Sequence, residues 1–326
     1  MISNDTLIGR RLGKYKIRDL IGKGGMGRVY LAKDERSNER VAIKHVPFTK
    51  YVRPTNPFFE ARILTKLEHK NLPKVHKVFQ DEDGFYLVME YIPGETVYQL
   101  MKRHGTLPSQ RAISYIMNIL AVLDYLHRLN PAIIHRDIKP SNLKFHRNGR
   151  LMLVDFGIAK EFHPEEQTHV GAKGHLTRGY APLEQYTGGT DARSDLFAVG
   201  GVFYYLLTGE DPPDVQEHVG KRHYHLDPRE INPQVPDILG QIITRATAMK
   251  QDLRYKSARE MYQALKEARL LLTPPQEPVG EVLEGSAPYL REPPPSAPQR
   301  AQSILPMLLI VLLVTIIVSA AVLIMN

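Results

Sequence analysis

Residues 135–142 read HRDIKPSN, and this stretch decides the fold. Within eight positions it brings together an imidazole, a guanidinium, a carboxylate, a primary amine and a carboxamide at fixed offsets. The chain contains no cysteine, which removes disulfides, thiolate metal sites and cysteine nucleophiles. Any chemistry at this stretch must therefore come from oxygen, nitrogen or a borrowed metal ion.

A glycine-rich segment lies upstream of this stretch. Residues 21–30 read IGKGGMGRVY, a G-x-G-x-x-G pattern that suits either a dinucleotide-binding fold or a hairpin over nucleotide phosphates. The dinucleotide fold needs a helix after the glycines. Instead, residues 29–32 have strand composition, residues 34–39 are turn-like, and residues 41–44 (VAIK) form a second strand. The pattern therefore predicts that the glycines join strand to strand.

These motifs together resemble those of the eukaryotic-type (Hanks-type) protein serine/threonine kinases. The resemblance runs from about Tyr15 to Leu271. It implies an α+β, two-lobed protein kinase fold, with a small β-rich N-lobe over residues 15–90 that carries one main helix. A large, mostly helical C-lobe is expected over residues 91–271. The run GYAPLEQY, residues 179–186, is similar to bacterial members of the family.

The resemblance implies that ATP is the phosphoryl donor. Lys44 would hold the α- and β-phosphates, with Glu60 as its ion-pair partner. Met89 would border the adenine pocket, and Glu90 and Ile92 would supply backbone hydrogen bonds to the base. The residues expected to contact ATP or to position it are Ile21, Gly22, Gly24, Gly27, Val29, Ala42, Lys44, Glu60, Met89, Glu90, Ile92 and Leu143.

The same resemblance assigns the catalytic groups. Asp137 would accept or orient the proton of the substrate hydroxyl, and Lys139 would stabilise charge on the transferring phosphoryl group. A lysine at position 139 is typical of the serine/threonine kinases rather than the tyrosine kinases of the family. Asn142 and Asp155 would hold Mg²⁺, which prefers oxygen ligands and keeps some waters. His135 is expected to be a structural residue.

The segment from Asp155 to Glu184 is expected to be the activation segment, because a stretch this long with few helix or strand signals is more often functional than structural. Arg136 would gather a phosphate from this segment. The regulatory phosphosite candidates are Thr168 and Thr177. Thr168 is preferred, because Thr177 occupies the place of the threonine that contacts the catalytic aspartate and lysine in the family.

Two departures from the family pattern fall in this segment. Pro182-Leu183-Glu184 replaces Ala-Pro-Glu, and Leu176 stands where glycine is common. Glu184 is retained and could pair with Arg254, so the departures are expected to affect substrate docking rather than chemistry. Asp195 matches the aspartate that braces the backbone of the catalytic loop.

The C-terminal part of the sequence predicts a membrane anchor. Residues 304–325 contain no charge, and at 1.5 Å per residue a helix of this length spans about 33 Å, enough to cross a bilayer. Residues 272–303 contain eight prolines and predict a disordered linker. Residues 1–14, an N-terminal lead, lack the apolar region of a signal peptide. The kinase domain is therefore expected on the cytoplasmic side of a single-pass anchor. The apolar run 196–207 is too short to cross and predicts a buried central helix.

The net charge of +8 raises the possibility of an anionic partner. Lysine and arginine are scattered and form no long run, which favours a solvated surface, so nucleic acid is not expected as a partner. A nucleic-acid-binding membrane protein is the rival that the charge alone would suggest. It predicts salt-dependent retention of DNA or RNA by residues 1–271.

The patterns together predict a membrane-anchored kinase that transfers the γ-phosphoryl group of Mg-ATP to serine or threonine hydroxyls of protein substrates. Self-association at the lipid bilayer would promote autophosphorylation of one copy by another. The alternative is a membrane-bound pseudokinase scaffold, which would bind nucleotide or partners without transfer.

Overall fold

The N-terminal part of the chain forms a six-stranded antiparallel sheet. The structure of the chain is a computed structural model, and it describes residues 7–24, 27–47, 64–146, 149–155, 160–162, 177–218 and 224–273. The strand order across the sheet is β1-β2-β3-β4-β6-β5. The strands are β1 (Arg11–Leu12), β2 (Tyr15–Gly24), β3 (Gly27–Asp34), β4 (Arg40–Pro47), β5 (Val75–Gln80) and β6 (Gly84–Glu90).

The glycine-rich segment joins β2 to β3. Gly24 lies opposite Gly27 at the end of their ladder, and Val29 then lies opposite Lys44 on β4. A strand follows the glycines, so the predicted strand-to-strand hairpin is confirmed.

The two faces of the sheet carry different apolar sets, because successive side chains on a strand point to opposite sides. On β4, Val41 and Ile43 belong to the core of the small lobe together with Tyr30 and Val88. On the other face lie the buried side chains of Ala42, Val75 and Met89, against which Val29 and Leu87 pack. Lys44 follows Ala42 at a spacing of two, so it shares that second face.

The large lobe is mostly helical and contains short strands that carry the loops of interest. The helix Ala192–Thr208 is buried at every position from Ser194 to Thr208 and contains the apolar run 196–207, so the predicted central helix is confirmed. Asp191 caps its N-terminus through a capping box with Ser194. The helices are α1 (Val97–His104), α2 (Ser109–His127), α3 (Leu183–Thr187), α4 (Ala192–Thr208), α5 (Asp237–Ala246) and α6 (Ala258–Leu271). The short strands are β7 (Ala132–Ile134), β8 (Leu143–Phe145), β9 (Leu151–Leu153) and β10 (Lys160–Phe162).

A small sheet and a large helical lobe together match the two-lobed α+β prediction. Among the residues that the structure describes, no helix is both long and apolar enough to cross a membrane. The predicted span 304–325 lies outside those residues, as does nearly all of the predicted linker 272–303. The membrane anchor therefore stays a prediction.

Candidate active site

The loop between β7 and β8 brings the predicted catalytic residues together. The Asp137 carboxylate oxygen Oδ1 lies 2.9 Å from the Lys139 ammonium and accepts a hydrogen bond of 3.0 Å from the Thr177 hydroxyl. Lys139 Nζ also donates to Thr177 Oγ1 at 3.0 Å. Asp137 and Lys139 both remain partly accessible, at 15% and 24% exposure. This triangle places a carboxylate and a cation side by side where a substrate hydroxyl could reach them.

Asn142 is the second anchor of the loop and is buried. Its amide nitrogen donates to the Asp137 backbone oxygen and to Asp137 Oδ2, both at 2.8 Å. Its backbone carbonyl accepts from Val154 at 2.8 Å, which ties the loop to the residue before Asp155. Because the amide nitrogen is engaged by Asp137, the amide oxygen is the atom of Asn142 that can meet a cation.

Lys44 and Asp155 form an ion pair between the small lobe and the large lobe. Lys44 is buried in the sheet, and Asp155 has a left-handed backbone conformation with φ of 74°. Burial opposes ionisation of Asp155, but the nearby Lys44 ammonium outweighs it, and the pKa of Asp155 lies below its usual value. The carboxylate is therefore kept ionised and available to a cation.

The predicted base-binding residues lie on the second face of the small sheet and on the segment after β6. Val29, Ala42 and Met89 belong to one apolar cluster. Glu90 ends β6 and Ile92 is buried just beyond it. Gly22 and Ile21 lie on β2, where Ile21 is exposed. Leu143 begins β8 and is buried in the core of the large lobe, and its role toward the base stays a prediction.

Comparison with known proteins decides the family. The protein kinase domain model matches residues 15–268. The chain belongs to the protein kinase family. The serine/threonine-protein kinase PrkC of Bacillus subtilis is 32% identical over 273 residues, which cover 80% of this chain and 42% of that protein.

Other bacterial relatives carry similar names. The serine/threonine-protein kinase PknA of Nostoc sp. is 33% identical over 279 residues, 78% of this chain and 47% of its own length. PknH of Mycobacterium tuberculosis, also named a serine/threonine-protein kinase, is 30% identical over 320 residues, 92% of this chain and 50% of its own length. The chain thus spans half or less of the length of these relatives. Their bacterial source agrees with the resemblance of residues 179–186.

Several predicted site residues of the kinase domain lie outside the described residues. Glu60, the expected ion-pair partner of Lys44, is one of them, so that pair stays a prediction. The phosphosite candidate Thr168 and Leu176 are also outside. Thr177 is described, and its hydroxyl contacts Asp137 and Lys139, as the resemblance implied.

One glycine of the glycine-rich hairpin is required by the packing of the sheet, whether or not a nucleotide is bound. At Gly27 φ is 154°, and an added Cβ would lie 2.2 Å from the His45 backbone oxygen. Gly22 differs, because a Cβ there would make an ordinary contact of 3.5 Å with Val29. Gly27 must therefore be glycine for β3 to approach β4.

Gly27→Ala is expected to lower the free energy of unfolding by about 1–3 kcal/mol, since it forces the strands apart or strains the backbone. Urea denaturation without nucleotide measures this loss. Gly22→Ala is the matched control and should leave stability nearly unchanged. Equal stability of the two variants would contradict the steric assignment.

Asp195, in the first turn of α4, accepts hydrogen bonds from the backbone of the catalytic loop. Its carboxylate accepts the backbone N–H groups of His135 and Arg136 and the His127 ring Nε2–H, each at 2.8 Å. The side chain is fully buried. Burial alone would raise the pKa of Asp195, but the hydrogen bond from His127 and the other donors outweigh it, and the pKa is lowered. The predicted contact with the loop backbone is present.

Asp195→Asn is expected to cost on the order of 2 kcal/mol of unfolding free energy near neutral pH, because an amide replaces a charged acceptor of three donors. A carboxylate with a lowered folded-state pKa stabilises above its unfolded-state pKa of about 4 and loses that effect as pH falls further. The stability gap between wild type and variant should therefore shrink below about pH 4. Urea titrations across the pH range check this, and a gap that widens on acidification would refute it.

The end of the predicted activation segment is fixed by a buried ion pair. Arg254 binds both carboxylate oxygens of Glu184, at 2.6 and 3.2 Å, and its side chain is fully buried. Glu184 also accepts from the Ser194 hydroxyl at 2.8 Å. The pairing of Glu184 with Arg254 expected from the sequence is therefore present.

Three supporting residues were missed by sequence reasoning. The Gln185 amide donates to the Arg136 backbone oxygen at 2.7 Å, and Thr190 accepts from Arg136 Nε at 2.8 Å. Both hold Arg136, whose backbone has a φ of 63°. The Lys144 ammonium donates to the Ile92 backbone oxygen at 2.9 Å. Thr190 and Lys144 lie outside every motif quoted above, and the run GYAPLEQY contains Gln185 without indicating its contact, because each contact joins segments far apart in sequence.

The site offers hard oxygen ligands to a divalent cation. Among the described residues, no group of three or more His, Cys, Asp or Glu side chains could hold a metal by itself. Asn142 offers an amide oxygen and Asp155 an ionised carboxylate. Two such ligands suit a cation whose other positions are filled by phosphates and water. Asn142 and Asp155 would hold it, and the bound cation would neutralise charge on the phosphates.

Proposed function

We propose that this chain is a protein serine/threonine kinase that transfers the γ-phosphoryl group of Mg-ATP to hydroxyl groups of protein substrates. The observation that supports this most directly is the contact of Asp137 with Lys139 and Thr177 at 2.9–3.0 Å. In that place a carboxylate can orient a hydroxyl while a cation meets the transferring group. The names of the bacterial relatives agree with serine and threonine as acceptors.

The transfer can be written from the residues present. The substrate hydroxyl oxygen forms a bond to the γ-phosphorus, and the bond from that phosphorus to the bridging oxygen breaks, so ADP leaves. Asp137 orients the hydroxyl and accepts its proton. Lys139 stabilises the charge on the transferring phosphoryl oxygens, and Lys44 is placed to bind the phosphates once it separates from Asp155.

The proposal is tested by incubating purified chain with γ-labelled Mg-ATP and a generic protein substrate, followed by phosphoamino acid analysis. Label on serine and threonine supports it. Tight ADP binding without any label would favour a pseudokinase scaffold, and label on tyrosine would contradict the acceptor assignment. Mass-spectrometric mapping of the chain itself would show whether Thr168 is modified.

We further propose that residues 304–325 anchor the kinase in a bilayer and that the proline-rich residues 272–303 tether it there. The support is the uncharged run of 22 residues in the sequence. Tethering raises the local concentration of neighbouring copies and would promote autophosphorylation in trans. A chain ending at Ser303 should then autophosphorylate with stronger dilution dependence than the full chain in vesicles, and identical behaviour would exclude the tethering effect.

A further inference from the structure

A cavity of about 310 Å³ lies between the segment before β5, the end of β6 and the β8–β9 hairpin. Three of its lining side chains are buried and apolar, and three others are exposed and cationic. The apolar ones are Leu67, Leu72 and Met152, and the cationic ones are Lys70, Lys74 and Arg150. We call this cavity the back cleft. It combines an apolar interior with a basic entrance.

Hydrogen bonds join the walls of the back cleft to one another. The Asn71 amide donates to the Leu151 carbonyl at 2.7 Å, and the Asn71 carbonyl accepts from the Leu153 N–H at 2.9 Å. The Glu90 N–H donates to the Lys74 carbonyl at 2.8 Å, and the Lys74 N–H donates to the Glu90 carboxylate at 3.2 Å. These bonds connect the segment before β5 to β9 and to the end of β6. The cleft is therefore formed before a ligand arrives, and binding would not have to order its walls.

The back cleft lies on the other side of β6 from the predicted base pocket. Glu90 lines the cleft and follows Met89 on β6. Successive side chains on a strand point to opposite faces of the sheet. Met89 belongs to the apolar cluster of Ala42 and Val29, where the base is expected. A ligand in the back cleft and a nucleotide could therefore be bound at the same time.

The charges around the back cleft favour an anionic ligand. Residues 66–77 contain four lysines and one glutamate. Within the described ranges, neither the Lys70 nor the Lys74 ammonium forms an ion pair or a hydrogen bond. Glu68 and Glu90 also line the cleft, and the Glu90 carboxylate already accepts from the Lys74 backbone. Two lysines without a partner at the entrance of an apolar cavity are complementary to carboxylates placed beside an apolar group.

We infer that the back cleft docks an acidic peptide segment of a partner protein, one in which carboxylate side chains flank an apolar side chain. The apolar side chain would enter between Leu67, Leu72 and Met152, and the carboxylates would meet Lys70 and Lys74. The cavity volume is at the lower end of the range for ligand pockets, about 300–1,000 Å³, which suits one or two side chains of a peptide. The inference goes beyond the proposed function, because this docking needs no phosphoryl transfer.

The experiment measures binding of a fluorescein-labelled peptide, Gly-Glu-Glu-Leu-Glu-Glu-Gly, to the full chain by fluorescence anisotropy without nucleotide. Saturable binding is expected. A peptide with glutamine at the four glutamate positions should bind at least about fivefold more weakly, because it keeps the shape and loses the charge. A peptide with alanine in place of leucine should also bind about tenfold more weakly, since less apolar surface is buried. Raising the ionic strength from about 0.05 to about 0.5 M should weaken binding of the acidic peptide.

Variants of the chain locate the binding site. Lys70→Glu combined with Lys74→Glu should weaken binding of the acidic peptide by about tenfold or more, because it reverses both charges. Lys102→Glu, a change of the same kind at an exposed lysine of α1, should keep the wild-type affinity. Saturating ADP should not displace the peptide. Equal ADP affinities in wild type and variants would show that the variants are folded.

Three results would overturn the inference. They are the lack of saturable binding to wild type, equal affinities for the glutamate and glutamine peptides, and an equal loss of affinity in Lys102→Glu and the double variant. The last would show that the peptide responds to surface charge in general. The first two need no variant, so they hold even if a variant fails to fold. Failure of the kinase assay would leave a positive binding result standing, because the peptide is bound without ATP.

Discussion

Asp137→Asn is expected to lower kcat by about 10²- to 10⁴-fold, the range associated with loss of a general base. The amide has nearly the same shape as the carboxylate, and it can still contact Thr177 and Lys139. It cannot take up the proton of the substrate hydroxyl. The KM for ATP should change little, because Asp137 faces the acceptor hydroxyl rather than the nucleotide. Steady-state assays with a peptide acceptor measure both constants.

The control for this prediction is binding of ADP to the same variant, which should match wild type and show that the cleft is intact. Lys139→Met provides a second comparison, and the double variant should lose little beyond Asp137→Asn, because residues acting as a unit are non-additive. Equal label incorporation by wild type and Asp137→Asn would show that the activity comes from a contaminant. The kinase proposal would then lose its main support.

The fold and the catalytic loop could be predicted because the residues that define each motif lie close together in the sequence. The glycine hairpin was predicted since strand composition follows the glycines directly. Asp137, Lys139 and Asn142 lie within six positions, so one loop brings them together. The pairing of Glu184 with Arg254 needed the family pattern, since 70 positions separate the two residues.

Contacts made only by folding could not be predicted. The sequence motifs give Lys144 no role, and its contact with the Ile92 carbonyl joins positions 52 residues apart. The sequence motif explains Gly27 by the phosphates that the hairpin would cover. The structure adds a second explanation, because any side chain at Gly27 would clash with the His45 backbone. Leu143 and Lys144 are neighbours on β8, so their side chains point to opposite faces of the strand. The register of a β-strand decides which side chains point to each face, and the sequence motif does not specify that register.

Arg254→Met is expected to be strongly destabilising, with a loss of about 3–5 kcal/mol in the free energy of unfolding. Arg254 donates to both oxygens of Glu184 and also to the Ala248 carbonyl at 2.7 Å and the Met249 carbonyl at 3.1 Å. Its guanidinium lies 4.9 Å from the Phe197 ring centroid. Removing it leaves the largely buried Glu184 carboxylate with only the Ser194 hydroxyl as donor and takes a partner from two carbonyls, and urea denaturation measures the cost.

A double-mutant cycle separates the charge from the packing. Glu184→Gln combined with Arg254→Met removes the unpaired carboxylate and should recover part of the stability lost in Arg254→Met. Arg259→Met is the matched control, because Arg259 is 61% exposed and its ion pair with Asp124 contributes less than about 1 kcal/mol. If Arg254→Met were no more destabilising than Arg259→Met, the buried pair could not be what fixes Glu184. Kinase activity should fall together with stability, since Glu184 follows the segment that presents Thr177 to Asp137.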